Sequence, residues 1–177
     1  MEKNRQGLLH IYCGDGKGKT SAAVGMAVRA AGCGMKVLVI RFLKTENSGE
    51  VEVLRSIPGI TVPPCERTFG FVFRMTEEQK QEAALYYQSR FEAAAKKAVQ
   101  GQYDLLILDE ILASCNYGMV RETSVVEFLQ NRPEKLEVVL TGRNPSETFL
   151  ELADYFCQEN NDCINQLKLV YQTLRAL

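Results

Sequence analysis

The chain has 177 residues, enough for one domain with a real core and too few for two of ordinary size. A composition of 46% hydrophobic and 24% charged residues is that of a globular protein, and a formal net charge of −1 excludes a general nucleic-acid binder, which needs a surplus of Lys and Arg for phosphate contacts. No run approaches the roughly 18 apolar residues of a membrane span, and the polar start Met1 to Gln6 is followed by no apolar targeting core, so the expected setting is the cytoplasm, without a membrane partner.

The first element is an apolar strand, Leu8 to Tyr12. It runs into Cys13-Gly14-Asp15-Gly16-Lys17-Gly18-Lys19-Thr20-Ser21, where the seven residues from Gly14 to Thr20 hold three glycines and two lysines. A small-residue helical pattern begins near Lys19. Strand, glycine loop and helix together turn backbone N–H groups inward and add the positive end of a helix dipole, a setting for polyphosphate. In such a P-loop Lys19 reaches the phosphates and the Thr20 hydroxyl holds Mg²⁺. The full pattern asks for glycine five residues before Gly18, where this chain has Cys13.

Ala22, Ala23, Gly25, Ala27, Ala30 and Ala31 make a helix smooth enough to lie against a sheet, ending at Gly32 or Gly34. Arg29 interrupts that smoothness, either as a solvated helix residue or as one that folds back over the nucleotide. Lys36 to Phe42 is the continuous apolar run of a strand covered on both faces, which implies a parallel sheet. Glu50 to Ile57 reads as a short helix stopped by Pro58-Gly59, and Ile60 to Val62 as a short strand. From Pro63-Pro64 to Met75 no period is visible, yet Phe69, Phe71, Val72 and Phe73 crowd together and want a core or a ligand. Thr76 and Gln79 form a capping box for a long amphipathic helix reaching about Gln100.

Tyr103 to Glu110 is an apolar strand that delivers Asp109 and Glu110 at its carboxyl end, the end beside the P-loop in a parallel sheet. One carboxylate can orient Mg²⁺ or its water shell and the other can position a reactant; the bland alternative is a pair of acids at a helix start. A helix around Thr123 to Asn131, a strand from Leu136 to Thr141, the loop residue Arg143, and a helix opened by Asn144-Pro145-Ser146-Glu147 follow. From Cys157 the apolar spacing through Ile164, Leu167 and Val170 suits an amphipathic helix. Six cysteines, Cys13, Cys33, Cys65, Cys115, Cys157 and Cys163, contain no C-x-x-C pair and read as small buried thiols. The single histidine, His10, reads as a satisfied core or edge residue, because no spacing supports a catalytic triad.

Taken together, Gly14-Asp15-Gly16-Lys17-Gly18-Lys19-Thr20, Phe42-Leu43-Lys44 with Gly49-Glu50, Gly70-Phe71-Val72-Phe73, Leu108-Asp109-Glu110, Asn116-Tyr117-Gly118 and Thr141-Gly142-Arg143 resemble the P-loop ATP:corrinoid adenosyltransferases, in order, over about residues 7–156. The resemblance implies that a Co(I) corrinoid attacks the 5′ carbon of ATP and leaves triphosphate. It also implies ATP bound in reversed orientation on Gly14, Asp15, Gly16, Lys17, Gly18, Lys19, Thr20, Ser21 and Arg29, with Lys19 and Glu110 catalytic and Mg²⁺ on Thr20 and Glu110. Phe71 and Phe73 match the aromatic pair that crowds the lower face of the corrinoid, whether cobalamin, cobinamide or cobyrinic acid a,c-diamide. A homodimer and a reduced flavoprotein as electron donor are implied too. Arg41 stands where the family usually has Gln, Thr45 where it has Gly, Phe73 where many members have Trp, and Ser21 where a second Thr is usual. Residues 157–177 show neither the family's Lys-His segment nor its Gly-Ile-Glu-aromatic terminus.

The expected architecture is therefore a single P-loop NTPase-like α/β domain, a mostly parallel sheet of five or six strands with helices on both faces. The competing functions are a P-loop kinase or ATPase, marked by release of ADP and phosphate, and a nucleotide- or corrinoid-binding paralogue without catalysis.

Overall fold

The computed structural model describes residues 6–158. Its strands are β1 (Leu9–Cys13), β2 (Val37–Arg41), β3 (Ile60–Thr61), β4 (Leu105–Asp109), β5 (Glu137–Thr141) and β6 (Tyr155–Gln158); its helices are α1 (Lys19–Gly32), α2 (Gly49–Ser56), α3 (Glu77–Gln100), α4 (Ile111–Asn116), α5 (Glu122–Asn131) and α6 (Glu147–Leu152). One six-stranded sheet in the order β3-β2-β4-β5-β1-β6 joins them, and every neighbouring pair runs parallel. Among the described residues no helix is long and apolar enough to cross a membrane.

Alternation along the strands separates two cores. Leu9, Ile11, Leu38, Ile40, Leu106, Leu108, Val138 and Leu140 pack with residues of α3, α4, α5 and α6, while Val37, Val39, Leu105, Ile107 and Val139 pack with α1 and α2. Both faces are covered, which is why β2 and β4 are apolar up to their last residues, Arg41 and Asp109. The alanine stripe of α1 does its expected work: Ala23, Ala27 and Ala30 are buried against the second core and let the helix lie close to the strands.

The connections differ in places from the sequence reading. Helix α1 ends at Gly32 with Cys33 as its cap, and Thr76 caps α3 through a capping box with Gln79. Ser146, rather than Asn144, caps α6, so Pro145 stands just outside the helix. Helix α4 has only six residues, too few to show a period, and was not foreseen. Nor was β6. Cys157 lies in that strand, paired in parallel with β1, so no helix begins there; Ile164, Leu167 and Val170 lie outside the described residues. Among the described cysteines only Cys13 is buried, while Cys33 and Cys157 are exposed, because neither faces a core; Cys163 lies outside the described residues. His10 is satisfied as expected: its Nε2 lies 2.9 Å from Glu137 Oε1, and its ring stacks on Tyr155.

Candidate active site

The carboxyl ends of β1, β2, β4 and β5 lie side by side in the sheet, so the segments that leave them share one edge, where ligands of parallel sheets collect. At the end of β1 the loop turns through Gly14 at φ 108° and Gly18 at φ 118°, values that favour glycine over any residue with a Cβ. Gly18 caps the fourteen-residue α1 without any side-chain hydrogen bond, which leaves first-turn N–H groups for an anion. Lys19 is almost fully buried, at 7% exposure. Its ammonium donates to Gly14 O at 2.7 Å and Gly16 O at 2.6 Å, so the loop's own carbonyls hold the cation beneath the anion position.

Asp109 is placed by parity. Leu105 and Ile107 face α1, so the next residue on that face is Asp109. Helix α1 links β1 to β2 and must cross over β4 and β5 to do so, which sets its first turn above the end of β4. Thr20 therefore meets Asp109. Its hydroxyl donates to Asp109 Oδ1 at 3.0 Å, and the buried Thr141 hydroxyl donates to the same oxygen at 2.7 Å. Lys44, from the segment after β2, donates to Asp109 Oδ2 at 2.5 Å and to Thr20 Oγ1 at 2.8 Å. A hydroxyl and a carboxylate with a cation between them form a donor set suited to Mg²⁺. Among the described residues no group of three or more His, Cys, Asp or Glu could hold a metal on protein ligands alone, so phosphate oxygens and water must complete any coordination there.

Glu110 follows at φ 64°, a left-handed conformation that costs a residue with a Cβ about 1–3 kcal/mol and is held here by Glu110 N donating to Thr141 Oγ1 at 2.9 Å. Half-buried, its carboxyl is pushed up in pKa first by burial and then by the Asp109 charge, against the pull of Lys44, Lys19 and Arg143. It therefore stands within electrostatic reach of the loop, while the carboxylate that touches Thr20 belongs to Asp109. The expectation placed Mg²⁺ on Thr20 and Glu110; the carboxylate in direct contact with the Thr20 hydroxyl is that of Asp109.

Arg143, on the loop after β5, reaches Asp15 at 3.2 Å, both side chains being exposed. Asn116 fixes that loop by donating from Nδ2 to Arg143 O at 2.8 Å and Asn144 O at 3.1 Å. Gly142 has φ 147°, and a Cβ there would lie 2.7 Å from Leu112 Cβ and 2.9 Å from Ala113 N. Gly142→Ala should cost about 1–3 kcal/mol through strain and overpacking, read as a lower urea midpoint at unchanged slope. An unaltered midpoint would contradict this close packing.

Lys17 and Ser21 are exposed on the loop and the first turn of α1. Arg29 is not brought to the loop. It sits exposed in the last turn of α1, and at about 1.5 Å per residue it lies roughly 15 Å along the axis from Lys19, so the helix carries it away.

The aromatic segment divides. Phe69 packs half-buried against Tyr86 and Tyr87, whereas Phe71 and Phe73 are 65% and 78% exposed and stack on each other at 5.4 Å. A short 3₁₀ turn, Val72–Arg74, holds them out, and the Arg74 guanidinium lies over both rings at 5.8 and 5.5 Å. The two rings therefore lie outside both cores.

Two residues of this site escaped the sequence reading, Asp109 as the Thr20 partner and Lys44 as a site cation. Strand parity could have found the first. Nothing in the spacing shows that Lys44 bends back.

Residues 5–162 match the family model described as ATP:corrinoid adenosyltransferase BtuR/CobO/CobP. Over 153 residues the chain is 31% identical to the corrinoid adenosyltransferase of Pseudomonas aeruginosa, an alignment covering 86% of this chain and 74% of that protein. The corrinoid adenosyltransferase of Escherichia coli strain K12 is 32% identical over 153 residues, covering 86% of this chain and 76% of its own. That of Salmonella typhimurium is 29% identical with the same coverage, 86% and 76%. The chain belongs to the ATP:corrinoid adenosyltransferase BtuR/CobO/CobP family.

Proposed function

We propose that this protein transfers the 5′-deoxyadenosyl group of ATP to the cobalt of a reduced corrinoid. The Co(I) electron pair forms the cobalt–carbon bond, the C5′–O5′ bond breaks, and that bond's pair leaves with triphosphate. The observation that carries the reading is the concentration of phosphate-directed groups at one sheet edge: an uncapped helix N-terminus, the Lys19 ammonium under the loop, and the Asp109–Thr20 pair with Lys44 between its members. Such a site is built to stabilise charge growing on a departing polyphosphate.

Thr20 and Asp109 would hold Mg²⁺, and Glu110 would orient its water shell or the reacting end of the nucleotide. When bound, the ion offsets negative charge that builds on the leaving triphosphate. Lys17 and Lys19 supply further cations to the same group, and Gly14, Asp15, Gly16, Gly18 and Ser21 shape the loop around it. The corrinoid belongs over Phe71 and Phe73, whose apolar rings, once covered by it, would exclude an axial ligand from cobalt and so ease its reduction. The homodimer and a flavoprotein donor are part of the same proposal, on family grounds.

The test is incubation with Mg²⁺, ATP and chemically reduced corrinoid, following Co–C bond formation by absorbance and identifying the phosphate product. One triphosphate per adenosylated corrinoid is expected. A second reading has one observation in its favour, since a half-buried carboxylate of raised pKa beside Asp109 is also the equipment of an ATPase base. ADP and phosphate as the products would select that reading instead.

Glu110 carries a further prediction. An acid whose pKa is raised on folding binds more protons folded than unfolded, so its contribution to stability falls as pH rises from the ordinary glutamate range through the raised value. Glu110→Gln should therefore melt no lower than the native protein at neutral pH. It should also raise the Mg²⁺ concentration for half-maximal activity by roughly tenfold, the usual size of an outer-sphere loss. Identical Mg²⁺ dependence in the two proteins would remove Glu110 from the metal's surroundings.

A further inference from the structure

Among the described residues, Lys44 is the one side chain that hydrogen-bonds to both members of the metal-type pair. Its Nζ lies 2.5 Å from Asp109 Oδ2 and 2.8 Å from Thr20 Oγ1, while Asp109 Oδ1 is already taken by Thr20 and Thr141. The ammonium thus lies between the two atoms that a divalent cation at this pair would use. Its partner carboxylate is 3% exposed, so the contact is poorly screened by water.

The backbone that aims Lys44 is strained and pinned. Leu43, immediately before it, has φ 53°, a left-handed conformation unfavourable for a branched side chain. Just after it, the buried guanidinium of Arg41, 2% exposed, donates from Nη2 to Thr45 O at 2.6 Å and Ser48 Oγ at 2.8 Å. Arg41 pairs with Asp109 in the sheet register, so the pin and the acceptor are fixed to adjacent strands. Arg41 Nε and Nη1 are buried with no hydrogen-bond partner, a cost of the kind that persists where the geometry serves a site. The Lys44 stem is flexible, and its head is a compact charge able to change partners without moving that backbone.

We propose that Lys44 is an exchangeable cation of the catalytic cycle. In the nucleotide-free protein it occupies the position between Asp109 and Thr20; when metal and ATP arrive it yields that position and moves onto the triphosphate. The proposal rests on the metal–ATP assignment of the site. A metal ion and an ammonium held together at Asp109 Oδ2 repel each other at close range, and the strongest anion then within reach of the displaced ammonium is the polyphosphate. The exchange keeps Asp109 paired throughout and delivers a third ammonium, after Lys17 and Lys19, to the leaving group.

The experiment uses Mn²⁺ alone as the metal probe, with free ion measured by electron paramagnetic resonance, on the native protein, Lys44→Ala, Lys44→Met and Lys44→Ala combined with Asp109→Asn. Removing a competing cation should tighten Mn²⁺ binding to the nucleotide-free protein roughly tenfold in both Lys44 variants, and Asp109→Asn should abolish the gain. Inorganic tripolyphosphate with Mg²⁺ is the second probe, and its affinity should fall about tenfold in the same variants, as a charge-assisted contact is lost. Mn²⁺ affinity that depends on Asp109 but not on Lys44 overturns this proposal and leaves the metal site standing. Mn²⁺ binding indifferent to Asp109 overturns both. Tighter Mn²⁺ with unchanged tripolyphosphate affinity overturns the move onto the triphosphate. The methionine variant keeps the stem packed, so a folding defect confined to Lys44→Ala does not decide the matter.

Discussion

Lys19→Ala should lose at least about a hundredfold in kcat/KM for ATP, the size associated with removing one preorganised electrostatic contact to developing charge. The ammonium is buried and bonded to Gly14 O and Gly16 O, so in the nucleotide-free state it braces the loop from below, and in the complex it faces phosphate. Losing those two bonds affects only the loop, since neither hydrophobic core includes Lys19. The variant should therefore melt within a few degrees of the native protein, as substitutions outside the core do. Titration calorimetry with Mg²⁺ and ATP, run beside a melting curve, checks both halves. ATP affinity equal to that of the native protein would remove the loop from phosphate binding.

The second large effect is conditional. Phe71→Ala with Phe73→Ala should lower adenosylation by about a hundredfold or more when Co(II) corrinoid must be reduced on the enzyme by a mild reductant. It should leave the rate within a few-fold when Co(I) is supplied ready-made. About 2.7 kcal/mol of barrier corresponds to that hundredfold, and it is asked of the rings only in the reduction step. Truncating a core phenylalanine costs about 3–5 kcal/mol of stability, whereas these two rings contact chiefly each other and Arg74 and are mostly in water. The double variant should then melt close to the native protein. Equal loss in both assays would show that the rings act by placing the corrinoid, not by easing its reduction.

Much of this architecture was legible because its signals are local and strong. Three glycines with two lysines between an apolar strand and an alanine-rich helix leave little but a phosphate loop, and Thr76 with Gln79 announces the start of α3 directly. The unbroken apolar run of β4 requires cover on both sides and hence a parallel sheet. What escaped depends on contacts remote in sequence. Lys44 meets residues 24 and 65 positions away through a backbone bent at Leu43, and no residue type at that position announces the bend. Asp109 against Glu110 was decidable in principle, because β4 alternates and Asp109 shares the face of Leu105 and Ile107. It required first knowing that this is the face α1 covers. Arg29 is open in the sequence, as a solvated residue or one over the nucleotide, because only the length of α1 decides it; fourteen continuous helical residues carry it away from the loop. Strand β6 is short and exposed, and its pairing to β1 comes from main-chain bonds that no side-chain pattern reports.

The most direct measurement follows one oxygen atom. ATP carrying a heavy oxygen isotope at the bridging 5′ position is incubated with Mg²⁺, the protein and a Co(I) corrinoid, and the products are weighed by mass spectrometry. Attack at the 5′ carbon breaks the C5′–O5′ bond, so the label must appear in triphosphate, matched mole for mole by adenosylated corrinoid. Label retained in ADP, with phosphate as the other product, would mean attack at phosphorus and would contradict adenosyl transfer.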